Sequence, residues 1–195
     1  MRPPTGPWSH LPNAISAARI AAVPALGYLA ATGSGRAFTW LLVAALLSDI
    51  ADGYLARRFA LTSKFGALLD SSGDALLFFA AIYGIWALHP EVLEAHGGLA
   101  LLVCGGWTLE IAAALWRYGR LSSFHTYASK TAGPLLGLTI GVLFVWGLWE
   151  PLLYVAGAVS VLASLEELAL IGVLPTWRAN VRGLYWVLRE RREAR

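Results

Sequence analysis

The chain contains four aspartates in 195 residues, and all four lie close together: Asp49, Asp52, Asp70 and Asp74. Each falls inside an apolar stretch or at its end rather than in an ordinary polar loop. A carboxylate at membrane depth costs about 2.5–3.5 kcal/mol even on the lenient insertion scale, so its presence there calls for a function. Asp49 and Asp52 are three residues apart, and Asp70 and Asp74 are four apart, so each pair shares one face of a helix. A short turn joins the two stretches, which brings the four side chains toward one depth. Four carboxylates gathered together stay ionised only beside cations. Hard divalent ions with oxygen ligands are the natural counter-charge, and two of them could clamp a phosphoryl group in transit. A proton relay or an ion-transport path is the competing reading of such a cluster.

The residues between the aspartates favour the phosphoryl reading. Gly53 and Ala56 leave room beside the carboxylates for a flat ligand group, and Gly66 clears space on the facing stretch. Arg57 stands one turn beyond Gly53, where its planar fork can meet a phosphate with two donors.

The elements that must position these groups are transmembrane helices. Of the chain, 57% is hydrophobic and only 14% is charged, against roughly 45–50% and about a quarter in a soluble domain. So small a protein has no soluble core able to hide that excess. Six stretches approach the length of about 20 residues that a span needs, near 13–32, 38–58, 66–88, 98–116, 131–149 and 152–174. The fold expected is all-α: a polytopic membrane protein with six transmembrane helices over residues 1–174, followed by a basic tail over 175–195. Trp177, Val181, Leu184, Tyr185 and Leu188 recur in that tail at nearly helical spacing among arginines. It reads either as an amphipathic helix lying on an anionic leaflet or as a soluble basic segment.

Basic residues set the orientation. With the N-terminus in the cytoplasm, Arg57, Arg58 and Lys64 fall in one cytoplasmic turn and Arg117, Arg120 and Lys130 in the next. The arginines after residue 177 fall in the tail, and the opposite side keeps only Arg36. Both termini and the aspartates then face the cytoplasm. The formal net charge of +3 is spread over segment ends, which suits a membrane surface and not nucleic acid. The start of the chain, with Arg2, Pro3, Pro4 and Trp8 ahead of any apolar run, does not read as a cleaved signal peptide.

Written out, the acidic region is Asp49-x2-Asp52-Gly53-x2-Ala56-Arg57-x8-Gly66-x3-Asp70-x3-Asp74. It resembles, position for position, the signature of the CDP-alcohol phosphotransferase family. Eight residues at fixed offsets make that resemblance specific. Pro12-Asn13-Ala14-Ile15-Ser16-x2-Arg19-x4-Pro24 is similar to a shorter N-terminal pattern of the same family. The resemblance implies a membrane enzyme that moves a substituted phosphoryl group from a CDP-linked donor, such as CDP-diacylglycerol, onto an alcohol with release of CMP. It implies two magnesium or manganese ions held by Asp49, Asp52 and Asp70. Asp74 is then the general base and a further metal contact. Gly53, Ala56, Arg57 and Gly66 shape the CDP pocket, with Thr62 beside the pyrophosphate. A homodimer is implied by the family alone.

Arg117 and Lys130 flank the next cytoplasmic turn and are candidates to hold the acceptor, above all if it carries a phosphate. Phosphatidylglycerophosphate synthases usually have proline after the third motif aspartate and lysine after the fourth. Ser71 and Ala75 stand there in this chain, and only one lysine remains near position 130. The motif therefore leaves the acceptor open. A transporter would more often show an internal repeat or broken helices at mid-membrane, and neither is evident.

Outside the motif, Cys104 reads as a small buried hydrophobe and excludes an internal disulfide. Glu110, Glu166 and Glu167 lie within spans and read as structural bonding groups, one of the last two facing Arg19 or the motif helices. Trp40, Trp86, Trp146 and Trp149, near span ends, read as interfacial anchors.

Overall fold

The computed structural model describes residues 11–58, 64–120, 124 and 126–193, with side-chain surroundings left out for 11–12, 52–58, 64–65, 67–68 and 70–71. Its described residues form seven helices and no strand: α1 Leu11–Ala31, α2 Gly35–Arg58, α3 Lys64–Leu88, α4 Pro90–Tyr118, α5 Tyr127–Trp146, α6 Glu150–Val173 and α7 Leu184–Glu193. Each of the six apolar stretches becomes one long helix. Among the described residues, four regions are long and apolar enough to cross a membrane: Asn13–Ala31, Pro90–Tyr118, Tyr127–Trp146 and Glu150–Val173. Ser72–Leu88 in α3 is a shorter apolar helix. The helices carry large apolar side chains on their outer faces, among them Leu47, Ile50, Phe79, Leu101, Leu102, Leu162 and Leu165. In water such surface would drive association; against acyl chains it costs nothing. Trp40, Trp86, Trp146 and Trp149 are all exposed near helix ends, where amphipathic rings anchor at the headgroup level.

The helix ends follow local chemistry. α1 closes on Gly33, whose φ of +69° is the left-handed conformation that glycine adopts at little cost. There the amides of Gly33 and Ser34 reach back to the carbonyls of Ala30 and Leu29. α4 starts earlier than the apolar pattern suggested, because Pro90 serves as a first helical residue. The helix is then interrupted at His96, which has φ −123° and ψ 17°, just before Gly97 and Gly98. Thr126 caps α5, its hydroxyl accepting from the Ser129 amide at 3.1 Å.

The chain divides into two compact units, Met1–Glu94 and Ala95–Arg195. In the first, α1 packs against both α2 and α3, which touch each other less than either touches α1. Ser16, Arg19, Leu26 and Ala30 are buried on α1 at helical spacing, and Leu77, Ala80, Ala81 and Ile85 on α3. Gly84 lets α3 approach the buried ring of Phe38, since a Cβ at Gly84 would stand 2.1 Å from Phe38 Cζ.

In the second unit α5 packs on α6, and α6 on α7. Gly157 admits α6 to Leu99 of α4, where a Cβ would meet Leu99 Cδ1 at 2.7 Å. Such close approach at small residues is how helices associate without a hydrophobic drive from solvent. The segment after α6 folds back onto the bundle. Val181 and Val187 join Ala114, Phe124, Leu170, Ile171 and Leu174 in one apolar cluster. The Val181 amide donates to the Phe124 carbonyl at 2.7 Å, and the Tyr127 amide to that of Arg182 at 3.2 Å.

Candidate functional site

Two of the four aspartates have described side chains, and they meet. Asp49 comes from α2 and Asp74 from α3. Their Oδ1 atoms lie 2.6 and 2.5 Å from the same nitrogen, Nη1 of Arg19 on α1. The Arg19 side chain is fully buried, whereas the Asp49 and Asp74 side chains are 40% and 51% exposed. A charged group is almost never buried without a partner, and two carboxylates drawn from two helices satisfy this one. Gly73 passes beside it: a Cβ there would lie 3.7 Å from Arg19 Nη1, which is ordinary contact.

Asp52 and Asp70 lie on the same two helices, one turn from Asp49 and Asp74 respectively. Gly53, Ala56 and Arg57 continue α2 toward its end at Arg58, and Gly66 stands in the first turn of α3. The side chains of Asp52, Ala56, Arg57 and Asp70, and the surroundings of Gly53, lie outside the described residues. Thr62 lies outside them altogether.

The donor chemistry fits hard divalent cations. Carboxylates from two helices converge on one point, and both remain partly open to solvent. Oxygen-only ligands with such access are what magnesium and manganese take. Asp49 and Asp74, with Asp52 and Asp70 one turn away on the backbone, are the residues that would hold them.

Arg19 is the functional side chain that reading by spacing did not put at the site. It was legible only as part of a short N-terminal pattern, or as a partner for Glu166 or Glu167. Glu166 is instead committed within the second unit: its Oε1 accepts from the Leu184 amide at 3.0 Å, at the start of α7. A carboxylate there satisfies an orphan amide and favours the positive end of the helix dipole. Glu167 on α6 and Glu110 on α4 are buried.

The acceptor candidates sit in the second unit. Arg117 Nη2 donates to the Leu174 carbonyl at the end of α6 at 3.3 Å, and its guanidinium lies 5.9 Å from the Tyr118 ring centre. The Tyr118 hydroxyl donates to the carbonyls of Ile171 and Leu174, and Arg191 donates to that of Val173. Three side chains thus gather at the α6 C-terminus, whose last carbonyls lack intrahelical partners. Lys130 is exposed in the first turns of α5.

Comparison with known proteins gives the family. The model of the family described as CDP-alcohol phosphatidyltransferase matches residues 9–171. A CDP-diacylglycerol–glycerol-3-phosphate 3-phosphatidyltransferase of Arabidopsis thaliana is 33% identical over 65% of this chain and 42% of its own length. A cardiolipin synthase (CMP-forming) of Oryza sativa is 34% identical over 57% of this chain and 33% of its own. One of Streptomyces coelicolor is 34% identical over 67% of this chain and 66% of its own. The chain therefore spans from a third to about two thirds of these relatives. No solved structure matches it. The family match runs from α1 through α6 and takes in both the carboxylates and the arginine they share, so this chain belongs to the CDP-alcohol phosphatidyltransferase family.

Proposed function

We propose that this protein is a metal-dependent phosphatidyltransferase of phospholipid synthesis, which transfers the phosphatidyl group of CDP-diacylglycerol to an alcohol and releases CMP. The observation that carries the reading is the meeting of Asp49 and Asp74, the two ends of the eight-residue signature, at a single point between α2 and α3. In the reaction the acceptor oxygen bonds to the phosphorus that bears diacylglycerol. The bond from that phosphorus to the bridging oxygen breaks, and the bridging oxygen leaves on CMP. The acceptor proton passes to the Asp74 carboxylate. An alcohol is a poor nucleophile at its own pKa, so a carboxylate placed to take the proton lowers the barrier. Two bound magnesium or manganese ions would neutralise both phosphates of the donor and improve CMP as a leaving group. Asp49, Asp52 and Asp70 would hold them, with Asp74 a further contact. Arg57 offers two parallel donors to a phosphate, while Gly53, Ala56 and Gly66 keep the approach open to the cytidine diphosphate group, with Thr62 beside it.

The chain crosses the membrane six times, with both termini and the site on the cytoplasmic side. At about 1.5 Å per residue, the 24 residues of α2 and 25 of α3 exceed the roughly 30 Å hydrocarbon core. Their polar motif residues lie toward the α2–α3 turn, so that end of each helix sits at the cytoplasmic boundary of the proposed span. The cytidine diphosphate head is water-soluble and the diacylglycerol tails are not, so a site at that boundary serves both. Two copies assemble as a dimer.

For an acceptor carrying a phosphate, Lys130 is the stronger of the two candidates. A cation in the first turns of α5 works against the helix dipole, and a bound anion would offset that. Arg117 already donates to the α6 terminus, although a guanidinium keeps further donors.

The test uses the purified protein in detergent with CDP-diacylglycerol, magnesium or manganese, and separate alcohols that include glycerol 3-phosphate and phosphatidylglycerol. Metal-dependent CMP release with at least one alcohol is expected. Asp74→Asn should lower it by about 10²–10⁴-fold, the usual contribution of a positioned base, with the fold kept. Absence of release across the panel, or normal turnover by Asp74→Asn, would refute the assignment.

A further inference from the structure

We propose that Arg19 is a positioning residue for the metal site: from α1 it orients the first and last carboxylates of the signature, which belong to two other helices. The inference rests on the function proposed above and adds a residue that lies outside the signature itself. Its Nη1 lies 2.6 Å from Asp49 Oδ1 and 2.5 Å from Asp74 Oδ1. A bridge by one nitrogen sets the separation of the two carboxylates as well as their charge. Each carboxylate engaged through one oxygen presents its other oxygen in a defined direction.

The burial pattern argues that the arginine is the fixed member of the group. Arg19 is fully enclosed while both of its partners are about half exposed. α3 forms part of the enclosure, since a Cβ added at Gly73 would lie 3.7 Å from Arg19 Nη1 and 3.6 Å from Ile20 Cγ1. A side chain packed on all sides loses its freedom on folding, so the carboxylates adjust to it and not the reverse. α1 also packs on α2 and α3 more closely than those two pack on each other. The relative placement of the two motif helices is therefore transmitted through α1, and Arg19 is where α1 touches the chemistry. Ligating carboxylates held by an outer partner typically lose 10–100-fold in metal affinity or activity when that partner is removed.

The experiment compares the wild-type full-length protein with Arg19→Gln and Arg19→Lys in detergent. Mn²⁺ binding without substrate is read by electron paramagnetic resonance, alongside CMP release and thermal unfolding. Arg19→Gln should weaken Mn²⁺ binding by about 10–100-fold. At saturating Mn²⁺ it should lower kcat while leaving KM for CDP-diacylglycerol within about threefold, because the proposed CDP-pocket residues are unchanged. Arg19→Lys should restore much of the Mn²⁺ affinity, since one nitrogen makes both contacts. Unchanged or tighter Mn²⁺ binding in a folded Arg19→Gln would overturn the proposal, tighter binding being what loss of a repelling cation alone produces. So would a folded Arg19→Lys no better than Arg19→Gln. If Arg19→Gln does not fold, Arg19→Lys decides: near-normal Mn²⁺ affinity supports positioning, and loss of folding in both assigns Arg19 a structural role instead. Failure of the underlying functional reading looks different, because the wild-type protein would then bind no Mn²⁺ or release no CMP.

Discussion

At the residue scale, the carboxylates divide by what each must do. Asp49 and Asp74 touch the same nitrogen, yet the proposed reaction asks ligation of one and proton transfer of the other. Asp49→Asn removes charge from a ligand but leaves one amide oxygen, so it should raise the Mn²⁺ concentration needed for half-maximal CMP release. Part of its rate should return in excess metal. Asp74→Asn should stay inactive at every metal concentration, since no cation replaces a base. A metal titration of CMP release on both variants separates the two, and parallel recovery of both would remove the distinction.

At the element scale, α3 is held by two glycines under different constraints. A Cβ on Gly73 finds ordinary contact distance to Arg19 and Ile20, whereas one on Gly84 falls inside the Phe38 ring. Phe38 is fully buried. Gly73→Ala should unfold within a degree or two of wild type and keep its activity. Gly84→Ala should lose about 1–3 kcal/mol through overpacking, seen as earlier thermal unfolding in detergent. α7 illustrates the same dependence on packing. Ten residues are too few for a stable isolated helix in water. Its order follows from Val187 in the apolar cluster and from Glu166 at its first amide.

At the scale of the whole molecule, lipid is the solvent that makes the surface intelligible. Large apolar side chains on the outer faces of α2 to α6 and tryptophans near the helix ends form the surface of a membrane protein. The proposed six-span topology puts the α1–α2 turn outside the cell and the segment after α6 inside. With Cys104→Ser as background, Ser34→Cys should react with a membrane-impermeant maleimide on intact cells. Ala179→Cys should react only after permeabilisation. The opposite pattern would invert the topology and take the site away from the cytoplasm.

Much of this was legible from the chain alone. Asp49, Asp52, Asp70 and Asp74 announce themselves because acidic residues in apolar stretches are costly, and their spacing assigns them in pairs to helix faces. The six long helices follow from apolar length, with ends displaced by a few residues where Pro90 and Thr126 supply local start signals. Those are short-range properties, set by 3.6 residues per turn and by how much apolar side chain a span must carry. Pairing between helices is not short-range. Arg19 and Asp74 are 55 positions apart, and no local pattern says which of several buried acids a buried arginine will meet. The spacing alone offered Glu166 or Glu167 as its partner, but Glu166 holds the start of α7. Likewise no local pattern in the tail said that Val181 and Val187 would join an apolar cluster with residues of α4 and α6. Composition and periodicity singled out the four aspartates and determined which segments are helical. Tertiary packing decided that α1 stands between the motif helices and supplies the cation they share, because burial of a charge is settled only by what surrounds it in space.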